Sequence, residues 1–172
     1  MSEQTTRILF VCHGNICRSP MAEFVMKDLV RKHGLENRFL IASAATSTEE
    51  IGNDIHRGTR RVLTEHGVPF APRSARRLRA DDAAAWDYIV GMDEANVRNI
   101  GRMLGPGALE RTSKLLAFAG RADDVADPWY TGDFETTYRD VLEGCTALLE
   151  RIESGQWRTI PAGFITARAR YA

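Results

Sequence analysis

Cys12 and Arg18, with five residues between them and Ser19 following, stand where residue types and spacing suggest group-transfer chemistry. A loop this short between a strand and a helix can curl until successive backbone N–H groups converge, and the helix N-terminus adds its positive end. That arrangement cradles a phosphate dianion. Arg18 can add a planar two-pronged donor, which suits phosphoryl oxygens better than the point charge of a lysine. A cysteine at the base of the same positive field ionises readily to the nucleophilic thiolate. Ser19 can donate a hydrogen bond to that sulfur. Gly14 permits close backbone approach and Asn15 tolerates a left-handed conformation. The spacing alone is a weak signal, since a buried structural cysteine beside an exposed arginine would satisfy it. Its place after an apolar run and before a helical pattern makes it specific. Cys12, His13 and Cys17 lack the paired spacing of a zinc site, so no metal is expected.

Phosphoester cleavage also needs a proton donor for the leaving oxygen. Asp127, in Asp127-Pro128-Trp129-Tyr130, is the candidate. Pro128 stiffens the loop and holds its predecessor extended. Trp129 and Tyr130 supply aromatic surface to grip a ring. An isolated Asp-Pro is usually a turn; the cysteine loop elsewhere in the chain gives this one its reading.

The elements that must position these groups follow from periodicity. Residues 7–11 read as a strand, and Ser19 as the N-cap of a helix that opens on Pro20 and stops near Gly34. Further strands are expected over 38–43, 86–92 and 114–118, and helices over 58–66, 94–104 and 134–152. Residues 123–132 read as a polar and aromatic loop. Strands alternating with helices imply an α/β fold, a parallel sheet with helices on both faces, and the phosphate loop between the first strand and the first helix.

The chain has 172 residues, 44% hydrophobic and 27% charged, and a formal net charge of zero. These values suit one soluble domain and give no support to nucleic-acid or membrane partners. The domain is expected over 1–157, followed by a tail over 158–172 read as a disordered end, with a docking arm or short helix as alternatives. Three cysteines do not suit a disulfide scaffold, and the N-terminus lacks a signal peptide's apolar core, so a cytoplasmic location is expected. Cys145 falls on the apolar stripe of the last helix and reads as core.

At this point the sequence resembles the low-molecular-weight protein tyrosine phosphatase family. The run from Val11 to Pro20 matches the signature V-C-x-G-N-x-C-R-S-P at every defined position. Similarity extends over residues 7–154, through Ser43-Ala44-Ala45-Thr46-Ser47, His66-Gly67-Val68-Pro69, Met92-Asp93-Glu94 and Asp127-Pro128. The resemblance implies a four-stranded parallel sheet, no cofactor, and hydrolysis of phosphotyrosine in partner proteins by a monomer or weak dimer. Cys12 would be the nucleophile, Arg18 the phosphate clamp and Asp127 the acid and then the base. His13, Gly14, Asn15, Ile16, Cys17, Ser19, Glu49, Trp129 and Tyr130 would contact substrate. Ser43 and Pro128 would support them, Asn15 and Ser43 bracing the loop. An oxidised Cys12 could pair with Cys17.

The sequence departs from the family in four respects, one of them a tail after about Gly155 that is longer than the family needs. A histidine that usually braces the loop is matched by Pro72. Gly52 to Gly58 is one residue short, and Pro69 to Arg76 one residue long. The aromatic residue often found at the rim is missing, with Glu49 nearest that place. Three other readings remain: a protein-arginine phosphatase, a thiol-dependent arsenate reductase, and a non-catalytic phosphate-binding module. Ile16, where the arginine phosphatases carry threonine, offers an apolar wall suited to a phenyl ring.

Overall fold

The computed structural model describes residues 4–155. The tail expected over 158–172 lies outside them. The architecture is a four-stranded, all-parallel sheet of order β2-β1-β3-β4 with helices on both faces. In chain order the strands are β1 (Thr6–Cys12), β2 (Phe39–Ala45), β3 (Tyr88–Gly91) and β4 (Thr112–Lys114). The helices are α1 (Arg18–Lys32), α2 (Arg57–Glu65), α3 (Asp82–Ala85), α4 (Glu94–Leu104), α5 (Pro128–Thr131) and α6 (Phe134–Glu153).

β1 is central, and its Ile8, Leu9, Phe10 and Val11 are all fully buried, as an unbroken apolar run in a two-sided sheet must be. The period of two divides them. Ile8 and Phe10 join the larger core with Met21, Val25 and Met26 of α1 and Val141, Cys145 and Leu148 of α6. Leu9 and Val11 face a smaller core with Ile89 of β3 and Ile100 of α4. Gly144 lets α6 lie close to Leu115 in the larger core, because a Cβ there would come within 2.4 Å of Leu115 Cγ.

Two expectations need correction. The run over 114–118 is not a strand. β4 ends at Lys114, and Leu115–Ala119 forms a 3-10 helix whose Leu115, Leu116 and Phe118 are buried. Nor does Ser19 cap α1. The helix begins two residues earlier than expected, at Arg18, with Cys17 in the capping position and no side-chain cap. The Ser19 hydroxyl is occupied elsewhere, by Cys12 and Asn15. The loop over 123–132 also contains the short helix α5, which Asp127 caps.

The strand order reverses direction between β1 and β3. In open α/β sheets ligands bind beyond the carboxyl ends of the strands at such a switch point. Cys12 ends β1 there, and Asp93 follows β3 at the same edge.

Candidate active site

The loop from Cys12 to Arg18 curls through Asn15, the one non-glycine residue with positive φ (59°) among the described residues. Its backbone N–H donates to Cys12 Sγ at 3.3 Å. The backbone N–H groups of Gly14, Ile16 and Cys17 donate to no group among the described residues. A Cβ on Gly14 would lie 3.3 Å from Glu50 Cγ, so the bare backbone keeps space on the pocket side. The loop is tied from outside. His56 N–H donates to Ile16 O at 2.8 Å, Thr59 Oγ1 donates to Cys17 O at 3.2 Å, and Thr46 N–H donates to Cys12 O at 3.0 Å.

Cys12, His13, Gly14, Ile16, Cys17, Arg18, Glu49, Glu50, Asp127, Trp129 and Tyr130 line one cavity of about 110 Å³. Cys12 and Arg18 are each 3% exposed, while Trp129 (58%) and Tyr130 (84%) stand open at the mouth. Pro128 is buried beneath them and opens α5, with Asp127 extended before it. Asn15 and Ser19 do not reach the cavity wall. Both are fully buried behind it, and with Ser43 they hold the loop. Ser19 Oγ is 3.0 Å from Cys12 Sγ. Asn15 Nδ2 donates to Ser19 Oγ and to Ser43 Oγ, each at 2.8 Å, and Ser43 Oγ donates to Glu23 Oε1 at 2.6 Å.

Arg18 is fixed from three sides. Its Nη1 donates to Asp93 Oδ2 at 2.8 Å and to Val125 O at 3.0 Å, and its Nη2 donates to Asp127 Oδ2 at 3.2 Å. Burial pulls the guanidinium pKa down, but negative charge at Cys12, Asp93 and Asp127 outweighs it and leaves the group above its ordinary value. The Cys17 thiol pKa is raised as well. Burial first, then Cys12 and Asp127, push it up to about 12, so it stays protonated at neutral pH. At the rim, Glu49 Oε2 meets His13 Nε2 at 2.9 Å.

Sequence reasoning missed Glu50, which lines the cavity, and three residues that hold the site from outside. Asp93 caps α4 with one carboxylate oxygen and holds Arg18 with the other. His56 caps α2 with Nδ1 and stacks on Phe134, ring centroids 5.1 Å apart. Arg73 donates through Nη2 to Asn15 Oδ1, which also accepts from Arg76 N–H at 3.2 Å. Pro72 therefore does not mark a lost brace, since the next residue supplies one. Met92-Asp93-Glu94 stands in the sequence only as a similar stretch, with nothing to mark Asp93 as a partner of Arg18. Among the described residues no group of three His, Cys, Asp or Glu side chains could hold a metal ion. No described helix is long and apolar enough to cross a membrane.

Comparison with known proteins agrees with this geometry. The family model for low molecular weight phosphotyrosine protein phosphatase matches residues 7–157. The low molecular weight protein-tyrosine-phosphatase YfkJ of Bacillus subtilis is 40% identical over 148 residues, 85% of this chain and 95% of the relative. Its crystal structure superposes with a TM-score of 0.84 at 38% identity, covering 89% of this chain and 98% of that one. The crystal structure of SP-PTP from Streptococcus pyogenes gives 0.79 at 40% identity, over 86% and 93%. That of DARP, an arginine phosphatase from Drosophila, gives 0.75 at 28% identity, over 85% and 97%.

Proposed function

The chain belongs to the low molecular weight phosphotyrosine protein phosphatase family, and on that premise we propose that it hydrolyses phosphotyrosine in proteins through a phosphocysteine at Cys12. One observation carries the reading: Cys12, Arg18 and Asp127, from two distant segments, converge on a single cavity.

In the first step the Cys12 thiolate attacks phosphorus. The S–P bond forms, the P–O bond to tyrosine breaks, and Asp127 gives its proton to the departing oxygen. Arg18 and the loop N–H groups hold the equatorial oxygens. In the second step water attacks phosphorus, Asp127 takes its proton, and the S–P bond breaks to return thiolate and phosphate. The Arg18–Asp127 contact couples binding to this acid–base duty. A phosphoryl dianion competes with the Asp127 carboxylate for the guanidinium.

The Ile16 wall and the aromatic mouth fit a phenyl ring. The Glu49 and Glu50 carboxylates at the rim favour peptides with Arg or Lys beside the phosphotyrosine, an effect that salt weakens. Cys145 is fully buried in α6, so it offers no accessible thiol for an arsenate reductase relay. Cys17 shares the cavity with Cys12 and is the proposed partner of an oxidised Cys12.

The test is hydrolysis, in EDTA, of phosphotyrosine peptides against phosphoarginine peptides, with basic and acidic flanks. A preference for phosphotyrosine supports the reading. A preference for phosphoarginine moves the chain to the alternative activity, and background rates with both refute hydrolysis.

A further inference from the structure

The segment that brings Asp127 to the cavity, residues 121–127, contains neither helix nor strand, so individual contacts must set its place. Val125 is buried, its N–H donates to Met92 O at 2.9 Å, and its carbonyl accepts from Arg18. Ala126 O accepts from Thr137 Oγ1 at 3.1 Å. Two further ties run to one side chain. Lys114 ends β4, level with Gly91 of β3. Its Nζ donates to Ala122 O at 2.6 Å and to Asp124 Oδ1 at 2.9 Å, and it meets Glu94 Oε1 at 3.2 Å. An ammonium has three donors, and these three acceptors use them all. The Lys114 side chain is only 11% exposed, a setting in which ion pairs are little screened. Asp124 Oδ1 also accepts from the Glu94 N–H at 3.2 Å, in the first turn of α4. Asp93, which holds Arg18, precedes Glu94.

We propose that Lys114 is a positioning residue that bolts the acid loop to the start of α4 and so sets where Asp127 stands against the leaving oxygen. This role presupposes that Asp127 is the proton donor of the proposed reaction. Two effects act together. The bonds to Ala122 and Asp124 hold the loop just upstream of the acid. The charge offsets the Glu94 and Asp124 carboxylates, which without it would repel each other and push the loop from the helix. A proton donor works only within hydrogen-bond reach of the oxygen it serves. A loosened loop therefore costs most where protonation matters most, with poor leaving groups.

The experiment compares kcat/KM for phenyl phosphate, a poor leaving group, with that for p-nitrophenyl phosphate, a good one. Lys114→Met should lower the first by roughly 10–100-fold and the second by less than ~3-fold, the scale of a misplaced catalytic group. Lys114→Arg should recover most of the loss. Asp127→Asn alone should also drive the two substrates apart; if it does not, Asp127 is not the acid and the role of Lys114 falls with it. In the Asp127→Asn background, Lys114→Met should drive them no further apart, because no proton is left to position. A divergence given by Asp127→Asn but not by Lys114→Met overturns the proposal alone. So does an equal loss on both substrates, which is what a merely structural role gives, and so does a Lys114→Met divergence that persists without the acid. Should Lys114→Met fail to fold, Asp124→Ala, at an exposed position, takes its place in the same cycle and should give the same divergence.

Discussion

Asp127 has one carboxyl group and two neighbours that need it. Oδ2 accepts from Arg18 and Oδ1 accepts from the Trp129 N–H at 3.1 Å. Asparagine would keep the shape and the Trp129 bond, yet could neither give nor take the catalytic proton. Asp127→Asn should therefore lower kcat on aryl phosphates by about 10²–10⁴, with the larger loss for poorer leaving groups. Steady-state rates across a series of substituted phenyl phosphates check this; an unchanged kcat would reassign the acid. The neighbouring aspartates already have other duties. Asp123 pairs with Arg121, Asp124 with Lys114, and Asp133 caps α6. At this scale the local part of the site was legible. Cys12, Arg18 and Ser19 share one loop, and Asp127 is marked by the proline and aromatics that follow. Asp93, His56 and Arg73 were not, because each reaches the loop from a separate element. No spacing within a sequence records such a meeting.

The loop depends on how α2 meets α6. His56 sits between them: its N–H holds Ile16, its Nδ1 caps α2, and its ring stacks on Phe134. Gly58 allows that contact, since a Cβ there would lie 2.4 Å from the Phe134 ring. Gly58→Ala should cost about 1–3 kcal/mol by overpacking, seen as a lower Tm, and kcat/KM should fall with it. Phe134→Leu should restore much of both in the double variant, and a double variant no better than the single one would place the strain elsewhere. His56 also gives a pH signature. Burial, then the charge of Arg57, lowers its pKa, so the neutral ring is the folded form. Its stabilising effect is complete above the usual value of about 6.5 and is lost as pH falls through the folded value. The Tm of the wild type should thus fall more steeply toward about pH 5 than that of His56→Asn, which keeps a capping acceptor without titrating in that range. Parallel slopes would remove His56 from the linkage. Long periodic elements such as α4 and α6 were readable at this scale. The apolar run after β4 was not, because a short buried run has no period that separates strand from 3-10 helix.

Across the whole molecule the site is a product of topology. The chain winds to one side of β1, then to the other, and the crevice left between β1 and β3 receives Cys12 from one strand and Asp93 from beyond the next. Alternating strands and helices made the parallel sheet legible. Strand order was not, since nothing in the apolar runs tells a strand which neighbour it will have. A net charge of zero likewise hides the local pattern, in which Arg18 stands under a rim carrying Glu49 and Glu50. The central claim is the covalent one: phosphate passes through Cys12. It is tested by mixing Asp127→Asn with a phosphotyrosine peptide, quenching in acid within the first turnover, and mapping the phosphate by mass spectrometry. A phosphoryl group on Cys12, lost in Cys12→Ser together with turnover, is the predicted result. Phosphate on another residue, or Cys12→Ser that still turns over, would contradict it.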